Sequence, residues 1–130
     1  EGERIEKGFY PDAMQEYCYS FYSIGTPAAY NAFLTLSQKL VQLYPDHLDF
    51  MNNVGSYYMV AKNDYKSAIK HYGKVLKKDP SNYVAIKNSV LAARKMGNVK
   101  SEKKYLQMLV EYGPENERLT AQGRLNQLSK

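Results

Sequence analysis

The residue types that most often carry catalysis are sparse in this chain, which has two histidines and one cysteine among its 130 residues. His47 and His71 fall in different segments, and no cysteine or acidic pair joins them at the spacing of a metal site. Cys18 stands among tyrosines with no neighbouring base, so we expect a buried apolar thiol. The sequence contains no glycine-rich phosphate loop and no serine-centred elbow. We therefore expect no catalytic residue, metal site or cofactor, and a protein that is not an enzyme.

The strongest charge feature is a row of lysines four residues apart, which would form a stripe on one helix: Lys66, Lys70, Lys74 and Lys78. The row lies in residues 62–104, which carry twelve basic and three acidic side chains, whereas residues 1–61 carry three and seven. We expect a solvated outer face. The alternative is charge-driven binding of nucleic acid, membrane or an acidic partner through 62–104. Nucleic acid is disfavoured because no aromatic residue interleaves with these lysines for base stacking.

Helical periodicity runs through nearly the whole chain and predicts seven helices joined by short turns. Capping residues, prolines and glycines mark where these helices begin and end. The main signals are Pro11-Asp12, Thr26-Pro27, Asp49, Asp64, Gly97 and Glu115. No apolar run approaches the ~20 residues that cross a bilayer. We expect a soluble domain, which could be cytoplasmic or, if a signal has been removed, periplasmic or otherwise extracytoplasmic.

The helices repeat at a fixed period. Pro80 and Pro114 lie 34 residues apart, and the segments that lead into them are similar. A period of this length is typical of stacked helical hairpins. Each hairpin of such a stack buries its apolar faces against its neighbours, and a last helix with one polar face closes the exposed end.

Residues 49–116 resemble the tetratricopeptide repeat family. Ala68 stands at its small position, Tyr72 at its large aromatic position and Pro80 at its closing proline, and Asn63-Asp64-Tyr65 matches its turn. Gly55-Ser56 and Glu102 depart from the pattern. The resemblance implies an all-α, right-handed array of about three antiparallel helix hairpins with a C-terminal capping helix. A related helical repeat remains the alternative.

We expect the chain to form one helical repeat domain over residues 1–130. Its expected units are a degenerate hairpin at 11–45, repeats at 49–82 and 83–116, and a capping helix at 117–130. The first residue is Glu1 and not Met, which favours a fragment of a longer protein.

The resemblance also implies a function, because the first helix of each pair in this family lines a concave groove that takes up partner peptides. We expect a protein-interaction module, a scaffold or adaptor, with no small-molecule substrate. An amide, a tyrosine and three cations among the matching positions favour an extended peptide with acidic character or a free carboxylate. The predicted partner-binding residues are Phe50, Asn53, Tyr57, Lys87, Asn88, Leu91, Arg94 and Lys95, and Val54, Val60 and Val84 share their faces.

Two other roles are compatible with the sequence. The array could be an accessory domain that packs against neighbouring domains of a larger enzyme or envelope-assembly protein. The N-terminal segment could also mediate self-association, since it carries more aromatic residues than one face of a short helix can bury. These residues are Phe9, Tyr10, Tyr17, Tyr19, Phe21, Tyr22 and Tyr30.

Overall fold

The computed structural model describes the backbone of residues 2–130 and the side chains of residues 11–130, and this part of the chain forms seven α-helices with no strand. The helices are α1 (Gly2–Ile24), α2 (Pro27–Leu43), α3 (Leu48–Ala61), α4 (Tyr65–Lys78), α5 (Tyr83–Met96), α6 (Val99–Tyr112) and α7 (Glu115–Leu128). The all-α class expected from the periodicity is confirmed.

Local sequence explains most helix ends. Thr26 Oγ1 accepts a hydrogen bond from the Ala29 amide at 3.1 Å and Pro27 follows at the first helical position, so α2 begins there. Asp64 caps α4 by accepting from the Ser67 amide at 3.1 Å. Gly97 ends α5 at φ 69°, a left-handed conformation that glycine adopts without a steric penalty. These three predicted signals are confirmed.

The predicted start of the first helix is wrong. Helix α1 begins at Gly2 and continues through Pro11, which lies inside it. Proline is tolerated at any helix start because its missing N–H would be unpaired there, so the residue looked like a first-turn position. Within a helix it removes one backbone hydrogen bond, and the helix here extends on both sides of that position.

The helices pack in chain order as antiparallel neighbours, each against the next, which is the arrangement of a helical repeat array. In addition, α3 contacts α5 directly. Two alternate helices therefore share one side of the array, which we call the inner face. Helix α4 lies on the other side, the outer face.

The interior divides into two hydrophobic cores. The first core is small and largely aromatic, and consists of Cys18, Phe33, Leu40, Phe50 and Tyr57. The second core is larger and alternates small with bulky side chains. It consists of Ala68, Tyr72, Val75, Leu76, Ala85, Ile86, Val90, Ala93, Tyr105, Leu106, Leu109, Ala121 and Leu125. Helix α3 contributes Phe50 and Tyr57 to the first core, and its opposite side meets Tyr72 of the second.

Candidate functional site

The inner face contains a cavity of about 210 Å³ between α1, α3 and α5, which we call the inner cavity. Its lining is rich in amide and hydroxyl groups. The lining residues are Gln15, Tyr19, Tyr22, Phe33, Asp49, Asn52, Asn53, Ser56, Met59, Val84 and Asn88. Two predicted site residues, Asn53 and Asn88, are therefore brought together here.

Asn53 is fully engaged in side-chain hydrogen bonds. It exchanges two bonds with Gln15 of α1, at 3.0 and 2.7 Å, and its Nδ2 also donates to Ser37 Oγ at 3.2 Å. These bonds satisfy an amide that is only 5% exposed. Asn53 thus joins α1 and α2 to α3 and fixes one wall of the inner cavity.

Asn52 has unused hydrogen-bonding capacity. Its Nδ2 donates to Asn82 Oδ1 at 3.1 Å, and Asn82 in turn caps α5 by accepting from the Ala85 amide. The Oδ1 atom of Asn52 is buried and receives no donor from the described residues. A buried acceptor without a donor is unfavourable by about 1–3 kcal/mol. Asn52 therefore joins α3 to the start of α5 beside the inner cavity, and its own amide oxygen is enclosed by the protein.

The rim of the inner cavity exposes apolar surface. Tyr19 of α1 is 56% exposed and Val84 of α5 is 45% exposed. The sequence analysis considered Tyr19 only for self-association and did not name Gln15, so the part that α1 takes in the inner cavity was missed. The excess of aromatic residues on α1 was a signal for Tyr19, and no local signal marks Gln15.

A second depression of about 220 Å³ lies on the other side of α5, against α6 and α7. It brings together three predicted site residues, Lys87, Leu91 and Arg94. Lys95 is exposed on the same helix but lines neither cavity. The predicted residues of α5 thus lie on two different sides of this helix.

Two of the three predicted cations are already paired within the chain. Lys87 Nζ lies 3.4 Å from Glu117 Oε1 and 5.5 Å from the centre of the Tyr83 ring. Hydrogen bonds to Tyr83 and Glu117 raise the pKa of Lys87. Arg94 Nε donates to Glu102 Oε2 at 3.0 Å. These two cations are therefore less available to an acidic peptide than the sequence suggested.

The surroundings of Glu102 explain why a glutamate stands at a position that is small in the repeat pattern. Its side chain is 3% exposed, and Arg124 approaches it from α7 with Nε 2.8 Å from Oε2 and Nη2 3.3 Å from Oε1. Hydrogen bonds from Arg124 and then Arg94 lower the pKa of this carboxyl against the opposing effect of burial. A charged residue at a small, buried position is tolerated because two guanidinium groups neutralise it. The pairing joins α5, α6 and α7.

Phe50 and Tyr57 are placed in the first core, where they are 0% and 4% exposed. Helix α3 is central in the array and contacts α2, α4 and α5. The side chains of Phe50 and Tyr57 therefore pack mainly inside the protein, whereas Asn53 lines the inner cavity and Val60 is 38% exposed.

The three residues considered for catalysis make packing or hydrogen-bond contacts within the protein. Cys18 is fully buried, as expected, and accepts a hydrogen bond from Ser37 Oγ at 3.7 Å, while burial raises the pKa of its thiol. The His71 ring stacks on Tyr58 at 5.2 Å, and His47 stacks on Phe50 at 4.8 Å. Within the described residues, no three His, Cys, Asp or Glu side chains are grouped so that they could hold a metal ion.

The aromatic residues of the N-terminal segment divide into two groups. Tyr17 and Tyr19 are more than half exposed, whereas Phe21, Tyr22 and Tyr30 pack at the edge of the first core. The side chains of residues 9 and 10 lie outside the described part. Self-association through α1 stays a prediction.

The sequential packing of the helices, with alternate helices on the inner face, defines a helical repeat protein. The inner cavity and the second depression lie on either side of α5. Residues 56–123 match a family model described as the TT21 fifth ARM repeats domain, and the chain belongs to this family. The matched family is a helical repeat domain of a protein that contains tetratricopeptide repeats. The match indicates no enzyme family. No curated protein matches the chain. No described helix is both long and apolar enough to cross a membrane.

Proposed function

We propose that this chain is a non-catalytic interaction module that binds a segment of a partner protein along its inner face. The observation that carries the proposal is the inner cavity, where exposed Tyr19 and Val84 flank buried amide groups. Apolar rims around a few fixed polar groups are typical of binding sites. Repeat domains of this kind usually act as scaffolds for other proteins.

The polar groups of the inner cavity suit the backbone of an extended segment. Asn88 is half-buried beside Val84; its amide hydrogen-bonds Tyr72 and can offer its remaining hydrogen-bonding capacity to a peptide backbone. The Gln15–Asn53 pair holds the opposite wall rigid. Rigid walls lower the cost of ordering on binding.

We propose that the repeats themselves are tetratricopeptide-like, with units at 49–82 and 83–116 formed by the α3–α4 and α5–α6 hairpins. Ala68 and Tyr72 are fully buried, as the small and large positions of that family require. The departure at Gly55-Ser56 also has a packing reason. A Cβ on Gly55 would lie 2.7 Å from Tyr72 Cε1, and Ser56 Oγ is 2.9 Å from the Tyr72 hydroxyl.

The test is capture of partners from a native lysate by the wild-type chain and by the Tyr19→Ala/Val84→Ser variant. We expect partners retained by the wild type to bind this variant more weakly, on the order of tenfold, because it removes both exposed apolar groups of the rim. The measurement is quantitative mass spectrometry of the retained proteins, followed by titration of the main one.

The matched control is Tyr17→Ala/Val99→Ser. Tyr17 is 54% exposed on the same helix as Tyr19, and Val99 is 45% exposed, as Val84 is, but neither lines the inner cavity. Partners should remain bound to this control. Equal retention by both variants would place the binding surface elsewhere and contradict the proposal.

A further inference from the structure

The outer face carries a groove of about 450 Å³ between α4 and α6, distinct from both inner depressions. We call it the outer groove. Its lining combines apolar and basic side chains: Ile69, Lys70, Gly73, Lys74, Leu76, Lys77, Lys104, Tyr105 and Met108. The repeat resemblance assigned no role to this side of the array.

The floor of the outer groove is apolar. Leu76 and Tyr105 belong to the second core and are 9% and 7% exposed, while Ile69 and Met108 are half-buried beside them. Methionine is flexible and polarisable, so it adapts to the shape of an apolar group placed against it. The floor can therefore accept aliphatic or aromatic side chains.

The rim of the outer groove is uniformly cationic. Lys70, Lys74 and Lys77 come from α4 and Lys104 from α6, and no carboxylate is among the lining residues. None of the four forms an ion pair with a described residue, in contrast to Lys87, Arg94 and Arg124 on the inner side. Grouped cations without counter-charges repel one another, and an anionic ligand relieves that repulsion.

Gly73 gives an independent reason to expect an occupant. It lies in the middle of α4, where glycine is unfavourable relative to alanine by about 1 kcal/mol. A Cβ added there would meet nothing within 4 Å, so packing inside the chain does not require glycine. Glycine permits close approach of another chain to the helix backbone.

We propose that the outer groove binds an acidic amphipathic segment of a partner protein, with apolar side chains on the floor and carboxylates against the four lysines. The chemistry of the groove favours this occupant over two others. The recessed floor cannot reach the hydrocarbon of a bilayer, which requires protruding apolar residues. Tyr105 is too buried to stack on a nucleic-acid base.

The test begins with selection of short random peptides displayed against the wild-type chain. We expect a class enriched in Asp and Glu, with apolar residues at helical spacing. Titration of these peptides should show on the order of tenfold weaker binding to Lys74→Glu/Lys104→Glu, because two favourable charge contacts become repulsive. A selected peptide whose apolar residues are replaced by serine should also lose binding.

The matched control is Lys66→Glu/Lys100→Glu, which changes one exposed lysine on each of the same two helices outside the groove. Both variants alter the net charge equally. If no selected peptide distinguishes the two variants, or if serine-substituted peptides bind unchanged, the proposal is overturned. Binding of phosphatidylserine vesicles that is lost in Lys74→Glu/Lys104→Glu, without any such peptide, would overturn it in favour of a membrane.

A steric variant tests the same groove without a change of charge. Gly73→Leu would place a side chain over the floor and should abolish peptide binding while the helix is retained. Gly123→Leu is its control, since Gly123 also lies within a helix with no neighbour for a Cβ within 4 Å, but on α7. Unchanged peptide binding to Gly73→Leu would contradict the proposed site.

Discussion

The two cores of this array are built on different principles. The first core, around α1, α2 and α3, encloses Phe33 and Phe50 and is edged by half-buried tyrosines such as Tyr22 and Tyr30. The second core, around α4 to α7, sets buried alanines against Tyr72 and several aliphatic side chains. Small residues permit close helix approach in the second core. Half-buried side chains edge both cores, and in the first core Tyr22 lies directly beside Phe33.

The largest expected effect is that of Tyr72→Ala in the second core. We expect it to lower the free energy of unfolding on the order of 3 kcal/mol, because removal of a fully buried ring leaves a cavity that its surroundings fill only in part. Phe33→Ala in the first core should lower the free energy of unfolding by less, since half-buried Tyr22 and Tyr30 can relax into the space that the Phe33 ring leaves. Urea denaturation of both variants measures the difference. A larger loss for Phe33→Ala would contradict the comparison.

The environment of Tyr72 gives a spectroscopic check on the same site. Burial raises the pKa of Tyr72 to about 12, although the bond with Ser56 partly opposes the shift. The tyrosinate absorbance of this residue should therefore appear only in strongly alkaline solution.

The second expected effect concerns Glu102, which stabilises the C-terminal end of the array through charge. Glu102→Gln should lower the free energy of unfolding by about 2 kcal/mol at neutral pH, because the charge-assisted hydrogen bonds from two arginines are weakened. The two arginines lower the pKa of Glu102 in the folded state, so its contribution is present above the ordinary carboxyl pKa. It is lost as the pH falls through the lowered folded-state value.

Thermal unfolding of the wild type and of Glu102→Gln across acidic pH measures this dependence. The difference in melting temperature between the two should shrink as the pH falls below about 4, where the unfolded carboxyl is protonated. A difference that stays constant over this range would show that Glu102 acts through packing and not through its charge. The first core has no such buried ion pair among its described residues, so Phe33→Ala should show no matching pH dependence.

Local signals and burial differ in how well the sequence could predict them. The period, the cap residues and the Ala68–Tyr72 spacing are local signals, and they were sufficient for the all-α class and for most helix ends. The site on α5 was partly predictable because Lys87 and Leu91 are exposed there. Phe50 and Tyr57 were assigned by repeat position alone, which carries no information on how deeply each side chain is buried.

The sequence could not predict contacts between residues that are far apart in the chain, because such contacts depend on how the helices pack. Glu102 meets Arg124 across 22 positions, and Gln15 meets Asn53 across 38, so neither contact follows from helical spacing. The outer groove likewise depends on Lys104 and Met108 of α6 lying beside α4. The lysine row indicated a charged face but not the apolar floor between its helices.

The smallest expected effect tests the boundary between the two cores, where Gly55 of α3 lies against Tyr72. Gly55→Ala should lower stability by about 1 kcal/mol, because steric overlap outweighs the better helix propensity of alanine. Gly73→Ala should have the opposite sign and raise stability by about 1 kcal/mol, since its added Cβ meets nothing within 4 Å. Urea denaturation of the two variants compares identical chemical changes that differ only in surroundings. If Gly55→Ala is also stabilising, then Tyr72 can shift, and the second core is less rigid than its packing indicates.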